Sequence, residues 1–524
     1  MSKIISTIFI FLTVVSCSDN RVNIFVKGSE ISGVNGIHFG PDGNLYAASV
    51  IGSDISVIDI NKKKIIKRFG LQHGVIGPDD LAFNSKGEFF WTSILTGEVA
   101  GFNQNGEKVI AGNVGIGVNP ITFSDDDRLF VAQCFYDDGV YEVDPTGKTL
   151  PRLIIEGLGP ECGLNGMDWG PDGRLYGPRW FHNEVVSLDV KTGEIRVEVS
   201  NLNVPAAVKF NSKGELYILD TGDGKIFKFI DGFIKEIAIL ETGLDNLAFN
   251  EKDELFVSSY ADGYILKVSE DNIESILPGG VSHPGGLTVY KSNLVVADVQ
   301  SVKAYNTQTK ERSWSINNVF RTSELGATTS VSNLGDKILL TSWIDNTVKI
   351  FNPITKKIER IFNNLNIPIS AIEYGNSIAV ALHGEGSIIL LSKDGNLQTT
   401  LLRDLTSPTH LINFEDNILI SDREEGIIYE INTLGEKKVF LEGLNSPEGI
   451  AYDKGVLYIH EGNTGNIKKY TEGKLEIIAT IPAGNPSASS LQPPSMILNG
   501  LAIHQDILYI SDEVNRSILQ IQLD

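Results

Sequence analysis

Carboxylate and amide side chains recur at one position of a repeated pattern in the first half of the chain. The position precedes a short apolar stretch, as in VNGIHF and LNGMDW. Carboxylates, amide carbonyls and water are the oxygen donors that Ca²⁺ takes, about six to eight of them at roughly 2.3–2.6 Å. If the fold gathers these side chains at one point, they would hold a divalent cation such as Ca²⁺. The predicted metal ligands are Asn35, Asp79, Asn119, Asn165 and Asp245.

The pattern that carries these residues is an internal repeat. A polar residue, an apolar strand, a turn and a second apolar strand recur twelve times at a spacing of about 40 residues. In units such as GIHFGPDGNLYAAS, apolar stretches of strand length flank a turn rich in Asp and Gly. Four-stranded units of about 40–45 residues are typical of propeller blades. The repeat therefore predicts an all-β fold of twelve blades.

Twelve blades most simply form two tandem six-bladed β-propellers. Residues 22–27 and 272–277 each read as an additional strand, and the last unit lacks a fourth strand of its own. A strand from the N-terminal side of a ring can complete its last blade and remove an exposed edge. We therefore expect 22–27 to close blade six and 272–277 to close blade twelve. The propellers would span residues 17–271 and 272–524; a single twelve-bladed ring is the alternative.

Propeller geometry explains why equivalent positions would converge. The first strand of every blade lies nearest the axis, so residues that precede these strands form a circle. In the first ring only Ala206 lacks an oxygen donor at this position. A turn-capping role is the alternative for each Asn or Asp. The second ring has Gly285, Ser330, Ser370, His410, Glu448 and Asn499 at these positions.

The chain begins with a targeting segment. A basic start is followed by the apolar stretch IISTIFIFLTVV, which is too short to span a membrane and is typical of a secretory signal. Residues 14–17, VVSC, resemble a bacterial lipobox. Residues 1–16 are therefore predicted to be a lipoprotein signal peptide, with Cys17 as the lipidated N-terminus. The mature protein would be held by this anchor in the cell envelope, on the periplasmic or cell-surface side.

The charge balance narrows the choice of partners. The net charge of −22 over 524 residues argues against nucleic acid and against anionic membrane surfaces beyond the lipid anchor. It suits a divalent cation, and it also suits a merely solubilising acidic surface. No feature of the sequence predicts an oligomeric state.

Aromatic loop residues could wall a small-molecule pocket beside the predicted metal ligands. Loops that follow the second strands should lie on the same face of the first ring, and an apolar wall with a few polar groups suits such a pocket. The predicted substrate-binding residues are Phe135, Tyr136, Arg179, Trp180 and Tyr260. Cys134 and Cys162 lie in loops of neighbouring blades, where export permits a disulfide. Simple loop packing and free thiols are the alternative.

The blade starts VNGIHFGPDGNLYAAS and LNGMDWGPDGRLY resemble those of the SMP-30/gluconolactonase/paraoxonase superfamily of six-bladed propellers, which is related to NHL repeats. That family holds Ca²⁺ or a similar ion on the axis with one Glu, two Asn and one Asp. By position, Asn119 and Asn165 correspond to the two amides, and Asp245 resembles an acidic ligand. The chain departs from the family at Asn35, where the family has Glu, and at Ala206, where it has its acidic residue.

The resemblance implies metal-dependent hydrolysis of a small lactone or ester. The ion would polarise the carbonyl, and a nearby base would activate water. The candidate catalytic residues are Asp79, Asp245, His73 and His182. No motif distinguishes one lactone or ester from another.

Two other functions remain open from the sequence. The second ring could carry an acid–base site at His410, His460 and Glu448. This would loosely resemble the propeller-fold streptogramin lyases, which use loop histidines with Mg²⁺. The chain could instead be a binding protein without catalytic activity that grips a peptide, a glycan or a protein.

Overall fold

The computed structural model describes residues 21–395, 398–483 and 498–523. Within these ranges the chain is all-β, with twelve four-stranded antiparallel sheets and two 3-10 helices of three residues each. The helices are Leu71–His73 and His383–Glu385.

The N-terminal targeting segment cannot be compared with the structure. The predicted signal peptide, residues 1–16, and the predicted lipidation site Cys17 lie outside the described residues. Among the residues that are described, no helix is long and apolar enough to cross a membrane.

Strand β1 (Val22–Val26) precedes six sheets whose strands pair in chain order. Sheet 1 contains β2 (Ile37–Phe39), β3 (Leu45–Ser49), β4 (Asp54–Asp59) and β5 (Lys64–Phe69). Sheet 2 contains β6 (Pro78–Phe83), β7 (Phe89–Ser93), β8 (Glu98–Phe102) and β9 (Lys108–Asn113). Sheet 3 contains β10 (Val118–Phe123), β11 (Leu129–Gln133), β12 (Val140–Val143) and β13 (Arg152–Ile155). Sheet 4 contains β14 (Asp168–Trp169), β15 (Leu175–Arg179), β16 (Glu184–Leu188) and β17 (Ile195–Val199). Sheet 5 contains β18 (Pro205–Phe210), β19 (Leu216–Asp220), β20 (Lys225–Ile230) and β21 (Phe233–Ile239). Sheet 6 contains β22 (Leu244–Phe249), β23 (Leu255–Ser259), β24 (Ile265–Val268) and β25 (Ile273–Leu277).

Six further sheets follow in the second half of the chain. Sheet 7 contains β26 (Leu287–Tyr290), β27 (Asn293–Ala297), β28 (Ser301–Asn306) and β29 (Arg312–Asn317). Sheet 8 contains β30 (Ser330–Leu334), β31 (Lys337–Ser342), β32 (Thr347–Asn352) and β33 (Lys357–Phe362). Sheet 9 contains β34 (Pro368–Tyr374), β35 (Ser377–Leu382), β36 (Ser387–Ser392) and β37 (Gln398–Leu402). Sheet 10 contains β38 (Pro408–Phe414), β39 (Asn417–Asp422), β40 (Ile427–Ile431) and β41 (Lys437–Leu441). Sheet 11 contains β42 (Pro447–Asp453), β43 (Val456–Glu461), β44 (Asn466–Thr471) and β45 (Lys474–Thr480). Sheet 12 contains β46 (Leu501–His504), β47 (Ile507–Asp512), β48 (Ser517–Gln522) and, at its edge, β1.

The two extra strands pair differently from the prediction. Strand β1 pairs with β48 and completes sheet 12, so the expectation that residues 22–27 close the sixth blade is wrong. Strand β25 pairs with β24 and completes sheet 6, so the expectation that 272–277 close the twelfth blade is also wrong. A short turn joins β24 to β25, and closing a short loop costs less chain entropy than closing a long one. Sheet 6 is therefore completed locally, and only sheet 12 needs a distant strand.

The first strands of the sheets contact one another in two separate cyclic orders. In the first half β2, β6, β10, β14, β18 and β22 contact their successors, and β22 contacts β2. In the second half β26, β30, β34, β38, β42 and β46 do the same, and β46 contacts β26. The first strands therefore form two separate groups of six.

Burial is greatest in the second strands and least in the fourth strands. Strand β7 is buried throughout, whereas β21 exposes most of its side chains. The core consists of apolar clusters between neighbouring sheets, as where Phe90 of sheet 2 and Val131 of sheet 3 share one cluster. This packing holds neighbouring sheets together and so positions the starts of the first strands relative to one another.

Candidate functional site

A cavity of about 170 Å³ lies at the starts of the first strands of sheets 1, 2, 3, 4 and 6. Asp79, Asn119 and Asp245 are the second residues of β6, β10 and β22. Asn35 and Asn165 precede β2 and β14 by two and three residues. The five residues predicted as metal ligands all line this one cavity.

Local breaks in strand pairing aim side chains into the cavity. A β-bulge inserts an extra residue, interrupts the alternation of side chains and is frequent next to functional sites. In the first half the pairing register shifts at the starts of four first strands, including β18. Three of these shifts contain a cavity-lining residue: those between Pro78 and Leu81, between Val118 and Ile121, and between Leu244 and Leu247. These irregular segments contain three of the cavity-lining oxygen donors.

Several of the polar side chains in the cavity have no protein partner. Within the described part of the chain, the side chains of Asp79, Asn119 and Asn165 form no hydrogen bond, although the residues are only 4%, 8% and 6% exposed. Asn35 differs, because its Oδ1 accepts a hydrogen bond from the Val50 amide at 3.1 Å. No protein group satisfies these side-chain oxygens, so they are open to the cavity and available to a ligand or to water.

Two carboxyl groups lie close together at the same place and resist ionisation. Burial raises the pKa of Asp79 well above its usual value, and the charges of Asp245 and Asp80 raise it further. Burial and the charge of Asp80 raise the pKa of Asp245 to about 8. A hydrogen bond from Asn35 acts in the opposite direction and lowers this pKa. Among the described residues that line the cavity there is no Lys, Arg or His. A bound cation would relieve this repulsion.

Asp80 and Asn246 form a second polar pair next in sequence to the cavity-lining Asp79 and Asp245; the sequence analysis assigned no role to Asp80. Asp80 accepts hydrogen bonds from Asn246 Nδ2 at 3.3 Å, from the Leu81 amide at 2.9 Å and from the Ile121 amide at 3.4 Å. Burial raises the pKa of Asp80 to about 6. The acidic doublet at positions 79–80 was the available signal, because a bulge there directs both residues inward.

Aromatic side chains form the wall of the cavity. Four of the predicted substrate-binding residues line it, namely Phe135, Tyr136, Trp180 and Tyr260. The ring of Phe135 meets that of Trp180 edge-on, with centroids 5.3 Å apart. A disulfide joins Cys134 to Cys162, the pair suggested by the sequence, and it ties the residue before Phe135 to the neighbouring sheet.

Two residues of the cavity come from the second half of the chain. Gln300 precedes β28 and Phe320 follows β29, and both line the same cavity. The sequence analysis missed them because it considered only the repeats of the first half. No local pattern marks them, since their position depends on how the two halves pack.

Three predicted residues lie outside the cavity, contrary to expectation. Arg179 donates a hydrogen bond from Nη1 to Glu184 Oε1 at 2.8 Å. Its Nη2 lies 2.9 Å from Nε2 of His182. His73 belongs to the 3-10 turn after sheet 1, where its Nδ1 accepts a hydrogen bond from the Gly70 amide at 3.1 Å. Local partners therefore hold all three side chains away from the cavity-lining carboxylates.

The residues proposed for an acid–base site in the second half do not share an open cavity. His410 lines a void of about 20 Å³, its Nδ1 accepts from the Ile450 amide at 3.0 Å, and burial lowers its pKa to about 4. His460 is fully buried, with Nδ1 3.5 Å from a carboxylate oxygen of Glu448. Glu448 also contacts Arg423 at 3.3 Å. This geometry is that of a packed polar cluster.

Side chains of the usual metal-binding types do not cluster anywhere in the described ranges, the cavity included. No group of three or more His, Cys, Asp or Glu residues there is placed to hold a metal ion. The oxygen donors that line the cavity are two carboxylates and three amides, so they include only two residues of those four types.

The comparisons with known proteins find similarity to solved structures only. No family model matches the chain, and no curated protein matches it. A solved extracellular domain of BT4673 from B. thetaiotaomicron, described as a hybrid two-component system, aligns over 94% of this chain and 75% of its own length, with 8% identity and a TM-score of 0.34. A second structure of that domain, described as a one-component system, aligns over 96% and 84%, with 10% identity and a TM-score of 0.33. Similarity this low carries no argument about function.

Proposed function

We propose that the chain is a metal-dependent hydrolase of a small lactone or ester. One observation carries the proposal: the side chains of Asp79, Asn119 and Asn165, which belong to largely buried residues, all line one cavity and have no protein partner. Together with Asn35 and Asp245 they make two carboxylates and three amides. That set suits a hard divalent ion such as Ca²⁺, which prefers oxygen ligands and would balance the two negative charges.

Different residues of the cavity would bind the metal ion, accept a proton and hold the substrate. The amide oxygens of Asn35, Asn119 and Asn165 would hold the ion together with a carboxylate. When bound, the cation supplies polarisation of the substrate carbonyl and stabilisation of the developing oxyanion. A carboxylate oxygen of Asp79 or Asp245 would accept the proton of the attacking water. The aromatic wall would hold the apolar part of the substrate and exclude bulk water.

The twelve sheets are interpreted as the blades of two six-bladed propellers. The two cyclic orders of contact between first strands support this arrangement. Because β25 completes sheet 6, the boundary between the rings would lie between residues 277 and 287 rather than near 271. The N-terminal strand β1 would then belong to the second ring. Kinship with the SMP-30/gluconolactonase/paraoxonase superfamily rests on the blade-start phrases alone.

The cellular location follows from the N-terminal segment. The lipobox-like residues 14–17 support export and a lipid anchor at Cys17. The protein would act on small molecules outside the cytoplasm. Its acidic surface gives no basis for binding nucleic acid.

Metal analysis and a substrate panel test the proposal together. Purified protein should contain about one divalent ion per chain, melt at a lower temperature with chelator, and hydrolyse at least one lactone or ester in a chelator-sensitive way. Asn119→Ala and Asp245→Ala should lose both the ion and the hydrolysis. Asn413→Ala is the matched control, because its exposed side chain only donates to a carbonyl of sheet 9. A metal-free protein that is indifferent to chelator contradicts the proposal.

A binding protein without catalytic activity is the second candidate. The observation that favours it is the aromatic wall, which could hold a ligand whether or not the carboxylates act on it. Metal-dependent ligand binding with no turnover across the panel would select this function.

A further inference from the structure

A segment of the second half covers the cavity of the first half. Residues 318–329 join β29 to β30, and Phe320 within this segment lines the cavity. The ring of Phe320 lies edge-on to that of Phe135, with centroids 4.7 Å apart. We call residues 318–321 the cover segment. Its position makes the cavity a feature of both halves of the chain.

The polar atoms of the aromatic wall hold the backbone of the cover segment. The Tyr260 hydroxyl donates to the carbonyl of Asn318, and the Phe320 amide donates to that hydroxyl at 3.4 Å. The indole Nε1 of Trp180 donates to the Phe320 carbonyl at 3.2 Å. Buried Tyr and Trp side chains usually find such a partner, and here both partners belong to the cover segment. The backbone beside Phe320 is thereby fixed from two sides.

Arg321, the last residue of the cover segment, holds it against the loops that contain Phe135 and Glu161. Its Nη1 donates to the Phe135 carbonyl and to a carboxylate oxygen of Glu161. Its guanidinium also lies over the ring of Tyr136, 5.4 Å from the centroid. These contacts join the cover segment to the loops on both sides of the disulfide.

Gln300 presents a free donor to the cavity. Its Oε1 accepts a hydrogen bond from Asn318 Nδ2 at 2.9 Å, and its backbone carbonyl accepts from the Asn318 amide at 2.8 Å. Within the described ranges its Nε2 donates to no protein group. A side chain held through its oxygen keeps its nitrogen available for an acceptor oxygen of a ligand.

A buried ion network joins sheet 7, from which the cover segment leaves, to the first half of the chain. Lys303 of sheet 7 is fully buried and contacts Asp262 of the first half at 2.8 Å and Asp298 at 2.5 Å. Its Nζ also donates to the Gly280 carbonyl at 2.6 Å. Removing one member of such a network would leave a buried charge unpaired, so the network resists displacement. The cover segment is therefore a fixed part of the cavity.

The shape and charge of the cavity restrict its ligand. A cavity of about 150 Å³ in another protein holds one benzene molecule, so about 170 Å³ suits a single ring. The lining has two carboxylates and no cationic side chain among the described residues. The described lining therefore offers no cationic side chain to pair with the charge of an anionic ligand, which favours a neutral one.

We propose that Phe320 and Gln300 determine the specificity of the cavity and select a neutral ligand with a single ring. Phe320 sets the size limit by completing the aromatic wall beside Phe135. Gln300 donates from Nε2 to an acceptor oxygen of the ligand. This inference rests on the proposed function, because it names the substrate class of the same site.

Three matched esters test the size and charge limits with the full chain. Wild-type protein should prefer phenyl acetate over 1-naphthyl acetate, which is larger, and over 4-acetoxybenzoate, which adds a carboxylate. Phe320→Ala should raise kcat/KM for the naphthyl ester relative to the phenyl ester on the order of tenfold. Gln300→Ala should raise KM for all three esters and leave the size preference unchanged. Phe414→Ala, in an aromatic cluster of sheet 10, is the control and should change neither ratio.

Binding measurements separate this inference from the proposed function. Phenylacetone, 1-naphthylacetone and 4-(2-oxopropyl)benzoate are ketone analogues of the esters that cannot be hydrolysed, and calorimetry gives their Kd values. If Phe320→Ala shifts the ketone preference but no ester is cleaved, the inference stands and the hydrolase proposal fails. If wild-type protein cleaves esters but Phe320→Ala and Phe320→Leu, both folded by melting temperature, keep its size preference, the inference is overturned. Failure of all three ketones to bind, or tightest binding of the carboxylate, also overturns it.

Discussion

Asn246 Nδ2 donates a hydrogen bond to Asp80 Oδ1 at 3.3 Å and so links sheet 6 to sheet 2 past the start of sheet 1. Gly36, the residue just before β2 of sheet 1, also lies against Asp80. A Cβ atom at Gly36 would lie 2.1 Å from Asp80 Oδ1 and 2.6 Å from Asp80 Cα. The close approach of the three sheets under the cavity therefore requires glycine at this position.

Gly36→Ala should destabilise the protein, because the backbone of Asp80 cannot move away without disturbing β6. Overpacking of this kind typically costs about 1–3 kcal/mol. Thermal unfolding should show a lower Tm. Gly70→Ala is the matched control, since its nearest neighbour would be the flexible end of Gln72 at 3.1 Å. Equal Tm values for the two variants would contradict the close packing at Gly36.

Much of the fold and the inner ring of the site could be predicted from the sequence because both depend on local repetition. Each unit encodes its own hairpins, and positions such as Asn119 and Asn165 become neighbours once the sheets are arranged in order. The same reasoning could not assign a partner to residues 22–27. An apolar strand pairs with any open edge, and which edge stays open depends on whether β25 pairs locally.

The remainder of the site depends on contacts between distant segments. Phe320 and Gln300 reach the cavity only because the second half packs against the first, which no repeat encodes. Arg179 and His182 have the residue types of a polar rim, but they engage each other and Glu184 instead of the cavity. Residue type and loop position therefore could not distinguish a lining residue from a neighbour with a local partner.

Deletion of β1, residues 22–26, should destabilise sheet 12 and promote self-association. The strand covers β48, and its Phe25 packs edge-on against Tyr509 with centroids 4.9 Å apart. Without it the edge of β48 would present unpaired backbone groups, which readily pair with another chain. Thermal unfolding and light scattering after size-exclusion chromatography measure both effects. Ile24→Lys keeps the strand and changes an exposed side chain, so it should remain like wild type. A monomeric deletion variant with unchanged Tm would refute this pairing.

Loss of the disulfide should lower stability and loosen the aromatic wall. Cys134 and Cys162 are separated by 28 residues, and the chain-entropy model gives about 3–4 kcal/mol for a loop of this length. The double variant Cys134→Ser/Cys162→Ser should melt at a lower temperature than wild type. Reductant should lower the Tm of wild type and leave that of the variant unchanged. Identical melting of wild type with and without reductant would show that the bond contributes nothing.

Acid should remove a stabilising contact at Glu142. Hydrogen bonds from Arg128, at 2.7 and 3.0 Å, and from Arg152 lower the pKa of Glu142 from its usual 4.5 to about 2. Because the folded pKa is depressed, the contribution is complete above about pH 4.5 and disappears as the pH falls toward 2. Arg128→Gln should therefore reduce Tm at pH 7, and the difference from wild type should shrink steadily between pH 4.5 and pH 2. The exposed pair of Lys235 and Glu270 provides the control, since Lys235→Gln should change Tm little at any pH. A difference between Arg128→Gln and wild type that stays constant down to pH 2 would show that Glu142 does not titrate in this range.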